Sequence, residues 1–251
     1  MNNTKTALIT GATSGIGQAT ARIFAQHGIQ LIICGRRQER LDALSKELSE
    51  LTIVTSLNFD VRDKHEVFKA IGSLSTSFQH IDILINNAGN AHGLDFIQDG
   101  SIEDWDAMMD INVKGLLYVS KAIIPEMTKR QSGHIINIGS SAGKEIYPKG
   151  NVYCASKHAV IAITDGMRID LNPFGIKVTA INPGLVETEF SEVRFKGDPK
   201  AQHVYKGYKA LQAIDIAEII HFAITRPAHV AIADLLVFPT AQANSITVKK
   251  N

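Results

Sequence analysis

The chain has 251 residues, of which 45% are hydrophobic and 20% charged, and its formal net charge is +1. That length allows one large α/β domain or two small ones. The near-zero charge gives no global pull toward nucleic acid or an acidic membrane surface, and no apolar run reaches the ~18 residues of a membrane-spanning helix.

The stretch Met1 to Thr6 leads straight into an apolar strand, Thr6 to Thr10, with no h-region of a signal peptide. Ile16 to His27 then has helical spacing and is stopped by Gly28. Gln30 to Cys34 reads as a second strand, Gln38 to Glu50 as a helix with charges outward, and Leu51 to Leu57 as a third strand. Asp63 caps a helix that runs to about Leu74. Ile81 to Ile85 is a fourth strand. Ser101, with Asp104 three residues on, has the pattern of a capping box opening a helical stretch that continues, with a break, to Met127 and Thr128. His134 to Ile138 is a fifth strand, Asn151 to Leu171 a long helix, Ile176 to Ile181 a sixth strand and Leu235 to Phe238 a seventh.

Strands alternating with helices imply parallel β-α-β units with right-handed crossovers. The expected fold is therefore α/β: one Rossmann-type, doubly wound domain over residues 1–251, with a seven-stranded parallel sheet and helices on both faces. One segment interrupts the alternation. Leu185 to about Ala210 is too long for an ordinary connection and carries Arg194, Lys196, Lys200, Lys206 and Lys209. A loop of that length beyond a strand's C-terminal end reads as a small substrate lid.

Between the first strand and helix lies Thr10-Gly11-Ala12-Thr13-Ser14-Gly15-Ile16-Gly17. Its glycines let the backbone turn and approach a pyrophosphate, which meets the amides of Ser14 to Gly17 at the helix N-terminus. The second strand ends in Cys34-Gly35-Arg36-Arg37, with no acid before Glu39. An acid there would bind free ribose hydroxyls, whereas two guanidiniums suit a 2′-phosphate, which favours NADP(H). Asp60-Val61 closes the third strand, where a carboxylate can accept from an adenine amino group. Asn86-Asn87-Ala88-Gly89 closes the fourth and leaves room for a ribose and adenine to lie against the backbone.

Tyr153-Cys154-Ala155-Ser156-Lys157 follows Ser140 by thirteen positions. On a helix Tyr153 and Lys157 share one face, and an ammonium beside a phenol lowers its pKa. With the Ser140 hydroxyl this is an acid/base device for interconverting an alcohol and a carbonyl.

Taken in this order, Thr10 to Gly17, Asn86 to Gly89, Ser140, Tyr153 and Lys157 resemble the short-chain dehydrogenase/reductase family over essentially the whole chain. The resemblance implies that Asn112, in Asn112-Val113-Lys114-Gly115, completes a Ser/Tyr/Lys/Asn tetrad and supports a proton-relay water. It also implies that Pro183-Gly184, Val186 and Thr188 border the nicotinamide, and that Lys157 binds the nicotinamide ribose. Tyr147 to Lys157, Pro183 to Asp198 and the tail from Pro227 to Thr240 are similar to one branch, the NADP-dependent 3-hydroxy acid dehydrogenases. That branch implies oxidation of serine or allo-threonine and a homotetramer, while its shared motifs do not identify the residues at the substrate's far end; Ser140 and Tyr147 are candidate substrate contacts.

A 3-hydroxy acid brings a carboxylate, for which Arg194 and Lys196 in the lid are the candidate partners. Both residues equally suit a solvated lid or a subunit contact. Two other readings stay open: a reductase of another ketone, aldehyde or dicarbonyl, and a non-catalytic NADP-binding sensor or scaffold. No histidines lie at metal-ligand spacing, so no metal is expected. Cys34 and Cys154 make neither a disulfide framework nor a ligand set, and a reducing, cytoplasmic setting is expected. Cys154 and Trp105 read as packing residues.

Overall fold

The computed structural model describes residues 4–250, with the side chains of Lys200 and Gln202 excepted. The ends of the expected 1–251 domain and the Lys200 cation of the lid therefore lie outside the described residues. The elements alternate from the start: β1 (Thr6–Thr10), α1 (Gly15–Gln26), β2 (Gln30–Gly35), α2 (Gln38–Leu48), β3 (Val54–Asn58), α3 (Lys64–Gly72) and β4 (Ile83–Asn86). Then follow α4 (Ile102–Met109), a π-helical turn (Asp110–Gly115), α5 (Leu116–Arg130), β5 (Gly133–Ile138), α6 (Asn151–Leu171) and β6 (Ile176–Pro183). The last group is β7 (Val186–Glu187), α7 (Phe190–Arg194), β8 (Leu211–Gln212), α8 (Ala213–Ile224) and β9 (Asp234–Val237).

Seven strands form one parallel sheet in the order β3-β2-β1-β4-β5-β6-β9. Alternating side chains feed two cores. Ala7 and Ile9 of β1 join Leu31 and Ile33 of β2, Phe24 of α1, Leu41 and Leu44 of α2, and Ile216 and Ile220 of α8. Leu8 and Ile32 point the other way, into Leu84, Val119, Ile123 and Met127. The order reverses at β1, between β2 and β4, so a crevice opens beyond the carboxyl ends of these central strands.

Most boundaries match expectation to within a few residues, and the exceptions have local causes. Leu51 and Ile53 were expected in the third strand but are more than half exposed, and pairing with β2 begins at Val54. α8 has no counterpart among the expected elements. It is capped by Gln212 and Asp215, and it buries Ile216, Ala217, Ile220, Ala223 and Ile224 at helical spacing. The expected break before α5 is the π-helical turn that carries Asn112. Asp63 caps α3 as expected, accepting from the amides of His65 and Glu66. Ser101 accepts from the Asp104 amide, but the Asp104 carboxylate turns away to Lys196, so the second arm of a capping box is not made.

The interrupting segment has its own architecture. β7 pairs with β8 at its base, through Val186 with Leu211 and Glu187 with Gln212. Inside it, Ser191 donates to the Tyr205 hydroxyl at 2.8 Å, which donates in turn to the Val186 carbonyl at 2.8 Å. Among the described residues no helix is long and apolar enough to cross a membrane.

Candidate active site

A cleft of about 540 Å³ runs over the switch point and under the 186–212 segment. Gly11, Thr13, Ser14, Gly15, Ile16, Arg36, Arg37, Asp60, Val61, Asn87, Ala88 and Gly89 line one end. Ser140, Tyr147, Tyr153, Lys157, Pro183, Gly184, Val186, Thr188 and Arg194 line the rest. Three expected residues stand outside the lining. Gly17 lies under the glycine turn, where a Cβ would meet the Gly11 carbonyl oxygen and Asn87 Nδ2 at 2.5 Å. Asn112 is buried beneath the floor, and Lys196 points outward to Asp104, Nζ to Oδ2 2.9 Å.

The glycine turn is shaped by what it approaches. Gly11 has φ +64°, and a Cβ there would come within 3.0 Å of Ala88 Cα. Asn87 staples the turn in place, donating from Nδ2 to the carbonyls of Thr10 at 2.9 Å and Gly11 at 3.2 Å. Ser14 precedes α1 without capping it through its side chain, and the first turn carries no acid. Those amides and the helix dipole are thus available to an anion.

At the end of β2, Arg37 is oriented by Thr13 and Ser14. Its Nη2 donates to Thr13 Oγ1 at 3.0 Å and to Ser14 Oγ at 2.9 Å. Its Nη1 reaches Glu189 at 3.0 Å, and Arg40 holds the same carboxylate at 2.7 Å. Arg36 is 3.4 Å from Asp60, whose main partner is Arg62 at 2.6 Å. Burial would raise the Asp60 pKa, but the hydrogen bonds and charges of Arg62 and Arg36 hold it below the usual carboxylate value. Arg40 and Glu189 were not among the expected site residues. Arg40 lies in the first turn of α2, three residues past the N-cap Arg37, which places both on the same carboxylate. Glu189 is 149 residues further along the chain and reaches Arg40 only through the fold.

At the other end, Ser140 Oγ accepts from the Ala142 amide at 3.1 Å and lies within hydrogen-bond reach of the Tyr153 phenol. Lys157 Nζ donates to the Ile138 carbonyl at 2.9 Å. Asn112 takes part in a buried chain. Its Nδ2 donates to the Asn90 carbonyl at 2.8 Å and to Ser156 Oγ at 3.0 Å, and Ser156 donates to the Tyr153 carbonyl at 2.7 Å. Its Oδ1 accepts from the Asn90 amide at 2.9 Å. Gly89 is needed here, because a Cβ would sit 2.9 Å from that same oxygen. The Asn90 side-chain oxygen is buried and has no hydrogen-bond partner among the described residues.

The titration of the pair differs from the expectation of a lysine-lowered phenol. Burial pushes the Tyr153 phenol well above its ordinary value and the nearby Tyr147 phenol adds to this, while the Ser140 hydrogen bond and Arg194 charge pull the other way. Burial also lowers Lys157 to about 8. Desolvation, which disfavours both charged forms, is the leading cause for each group. Above them lies α7: the Phe190 ring is 5.7 Å from that of Tyr153, and Arg194 donates to Tyr147 Oη at 2.8 Å and to the Gly93 carbonyl at 3.1 Å. Cys34 and Cys154 are buried free thiols. Among the described residues no three His, Cys, Asp or Glu side chains are grouped to hold a metal.

Residues 5–198 match the model of the short chain dehydrogenase family. A curated relative, the NADP-dependent 3-hydroxy acid dehydrogenase of Salmonella typhi, is 46% identical over 237 residues, 94% of this chain and 95% of that protein. Sulfoacetaldehyde reductase 2 of Chromohalobacter salexigens is 45% identical over 238 residues, 94% of each. Among solved structures, the closed form of a serine dehydrogenase complexed with NADP+ superposes with a TM-score of 0.92 at 43% identity, covering 98% of this chain and 100% of that one.

Proposed function

The chain belongs to the short-chain dehydrogenase family, and from that premise we propose that it is an NADP-dependent oxidoreductase interconverting a hydroxyl and a carbonyl group, with 3-hydroxy acids such as serine or allo-threonine as substrates. The observation that carries the substrate class is Arg194. It is a cation in the cleft wall beside Tyr147, with its guanidinium 5.6 Å from the centre of the Tyr153 ring. A carboxylate held there would place the neighbouring carbons of a short acid against the phenol.

The cradle fits a dinucleotide phosphorylated at the 2′ position. The Gly11 and Gly89 positions are too tight for a Cβ, the first turn of α1 is uncapped, and the Arg36 and Arg37 side chains both line the cleft beyond the end of β2. Gly11 to Gly17 would hold the pyrophosphate, Arg36 and Arg37 the 2′-phosphate, Asp60 and Val61 the adenine, and Asn87 to Gly89 the adenosine ribose. Lys157, Pro183, Gly184, Val186 and Thr188 would border the nicotinamide. When bound, NADP supplies the hydride acceptor or donor and, in its oxidised form, a positive ring next to the phenol.

The chain's own groups then handle the proton and the oxygen. Tyr153 accepts the substrate hydroxyl proton during oxidation and returns it during reduction. Ser140 holds the reacting oxygen against Tyr153. The Lys157 ammonium favours the phenolate once it is charged, and Asn112 fixes the backbone between Gly89 and Tyr153. The 186–212 segment, with Phe190 and Arg194 over Tyr153, acts as a lid that excludes water and clamps the carboxylate.

A second reading has specific support. Sulfoacetaldehyde, in the name of one relative, carries its sulfonate one carbon away from the reacting carbon, as a 3-hydroxy acid carries its carboxylate. One guanidinium at Arg194 serves either anion, so reduction of a short anionic aldehyde is the alternative. Exposed Ile146, Ile169, Leu236 and Ile246 offer apolar surface for the homotetramer and are consistent with it. We place the enzyme in the cytoplasm, in keeping with its two free thiols. The deciding experiment is a panel. NADPH formation is followed with serine, threonine stereoisomers and 3-hydroxyisobutyrate, NADPH consumption with sulfoacetaldehyde and neutral ketones, and the best substrate is repeated with NAD+. Faster turnover of neutral ketones than of every anionic substrate, or preference for NAD+, would overturn the proposal.

A further inference from the structure

We propose that Glu189 is a built-in competitor for the cofactor's 2′-phosphate: the lid's carboxylate and that phosphate take the same guanidinium, Arg37, while Arg40 holds the carboxylate's other oxygen. The inference rests on the reading of the β2 end as the 2′-phosphate site. Glu189 belongs to the lid, directly after Thr188 and before α7. Its Oε2 lies 3.0 Å from Arg37 Nη1 and 3.0 Å from Arg40 Nη1, and its Oε1 lies 2.7 Å from the same Arg40 nitrogen. The remaining Arg37 donors are tied to Thr13 and Ser14, so the guanidinium is held facing the cleft whether or not the carboxylate is present. Arg37 and Glu189 both line that cleft.

The pairing has the right strength to be exchanged. All three side chains are half-exposed, between 40% and 47%, and exposed ion pairs of this kind contribute only ~0–1 kcal/mol. A phosphate monoester carries more charge than a carboxylate and has three acceptor oxygens, so it displaces the carboxylate from the Arg37 guanidinium. A 2′-hydroxyl has no such charge and leaves the pair intact. The exchange also frees one tie between the adenosine end of the cleft and the residue that precedes α7, the element that carries Phe190 over Tyr153 and ends in Arg194. Occupation of the phosphate site is thereby linked to the substrate lid.

The test uses the full-length protein with 2′,5′-ADP and 5′-AMP as probes, neither of which contains a nicotinamide or reports turnover. Calorimetry is run on the wild type, Glu189→Gln and Glu192→Gln. The last variant removes the same charge three residues further on, within α7, at a side chain with no hydrogen bond or ion pair to either arginine among the described residues. Glu189→Gln is expected to bind 2′,5′-ADP roughly fivefold more tightly, with 5′-AMP unchanged and Glu192→Gln like the wild type. In the wild type, 2′,5′-ADP is expected to speed tryptic cleavage between residues 194 and 209; in Glu189→Gln, cleavage is already fast and does not respond.

Unchanged or weaker binding of 2′,5′-ADP by Glu189→Gln overturns the competition, as does equal tightening by Glu192→Gln. If instead none of the three proteins prefers 2′,5′-ADP over 5′-AMP, the 2′-phosphate reading itself is wrong and the competition falls with it. The two failures are therefore distinct.

Discussion

Arg194 donates to the Tyr147 hydroxyl over 2.8 Å while its guanidinium stands 5.6 Å from the Tyr153 ring centre. The lid thus brings a fixed cation to the residue proposed to move the proton. Replacing Arg194 with methionine keeps a long apolar side chain but removes the charge. KM for serine should rise roughly 10- to 100-fold, the value of a charge-assisted hydrogen-bonded contact, with kcat much less affected. KM for a neutral secondary alcohol should stay within about threefold. Equal loss for both substrates would mean that the side chain only shapes the lid.

The buried pair predicts both a pH profile and its sign. Burial holds Tyr153 protonated and lowers Lys157 to about 8. Oxidation requires Tyr153 without its proton, so kcat/KM for oxidation should climb from neutral toward alkaline pH. Reduction requires the proton and should fall over the same range. Tyr153→Phe should lose at least about 10²- to 10⁴-fold in turnover while NADP still binds, as shown by calorimetry. Retained turnover in that variant would rule out Tyr153 as the acid/base.

Asn112 is tested through stability as well as activity. It holds the amide and carbonyl of Asn90 on one side and Ser156 on the other. Asn112→Ala leaves these buried groups short of partners, at about 2–4 kcal/mol in all. The melting temperature should drop by roughly 5–10 °C, and turnover should fall because Ser156 links this chain to the Tyr153 backbone. An unchanged melting curve would show that water replaces the amide freely.

Much of this was legible in the sequence because local chemistry set it. Thr6 to Thr10 and Asn151 to Leu171 match β1 and α6 to the residue, since an unbroken apolar run and a long helical period each admit one reading. The glycine turn and Tyr153 with Lys157 were legible for the same reason: their partners are near in sequence. What escaped depends on long-range packing. Lys196 and Arg194 are two residues apart and alike in charge, yet one faces Asp104 and the other the cleft. The Arg37–Glu189 and Arg40–Glu189 pairs span about 150 positions and leave no periodic mark. The raised Tyr153 pKa depends on burial, which the spacing of a tyrosine and a lysine does not report. α8 was legible in principle, since Ile216, Ile220, Ala223 and Ile224 keep helical spacing, but the irregular lid before it obscures where the alternation resumes.

His134 supplies a pH dependence of stability separate from the active site. It lies on β5 in the interior, and its Nε2 is 2.8 Å from Thr179 Oγ1. Thr179 donates its one hydroxyl proton to the Ile232 carbonyl at 2.6 Å, so it must accept from His134, which fixes the neutral Nε2–H tautomer. Protonating the other ring nitrogen would place a charge in the interior. Burial first, then the charges of Lys177 and Lys5, lower the pKa to about 4 from the ordinary 6.5. Between those values the unfolded chain holds more protons than the folded one. Stability from this group is therefore complete above about 6.5 and is lost as pH falls through 4, by about 3 kcal/mol in all. His134→Gln retains an amide donor toward Thr179 and does not titrate. Thermal melts from pH 7 to 4 should show a shallower decline for the variant than for the wild type. The carboxylates, common to both proteins, contribute equally and cancel in the difference. Parallel declines would show that His134 does not gain its proton on unfolding.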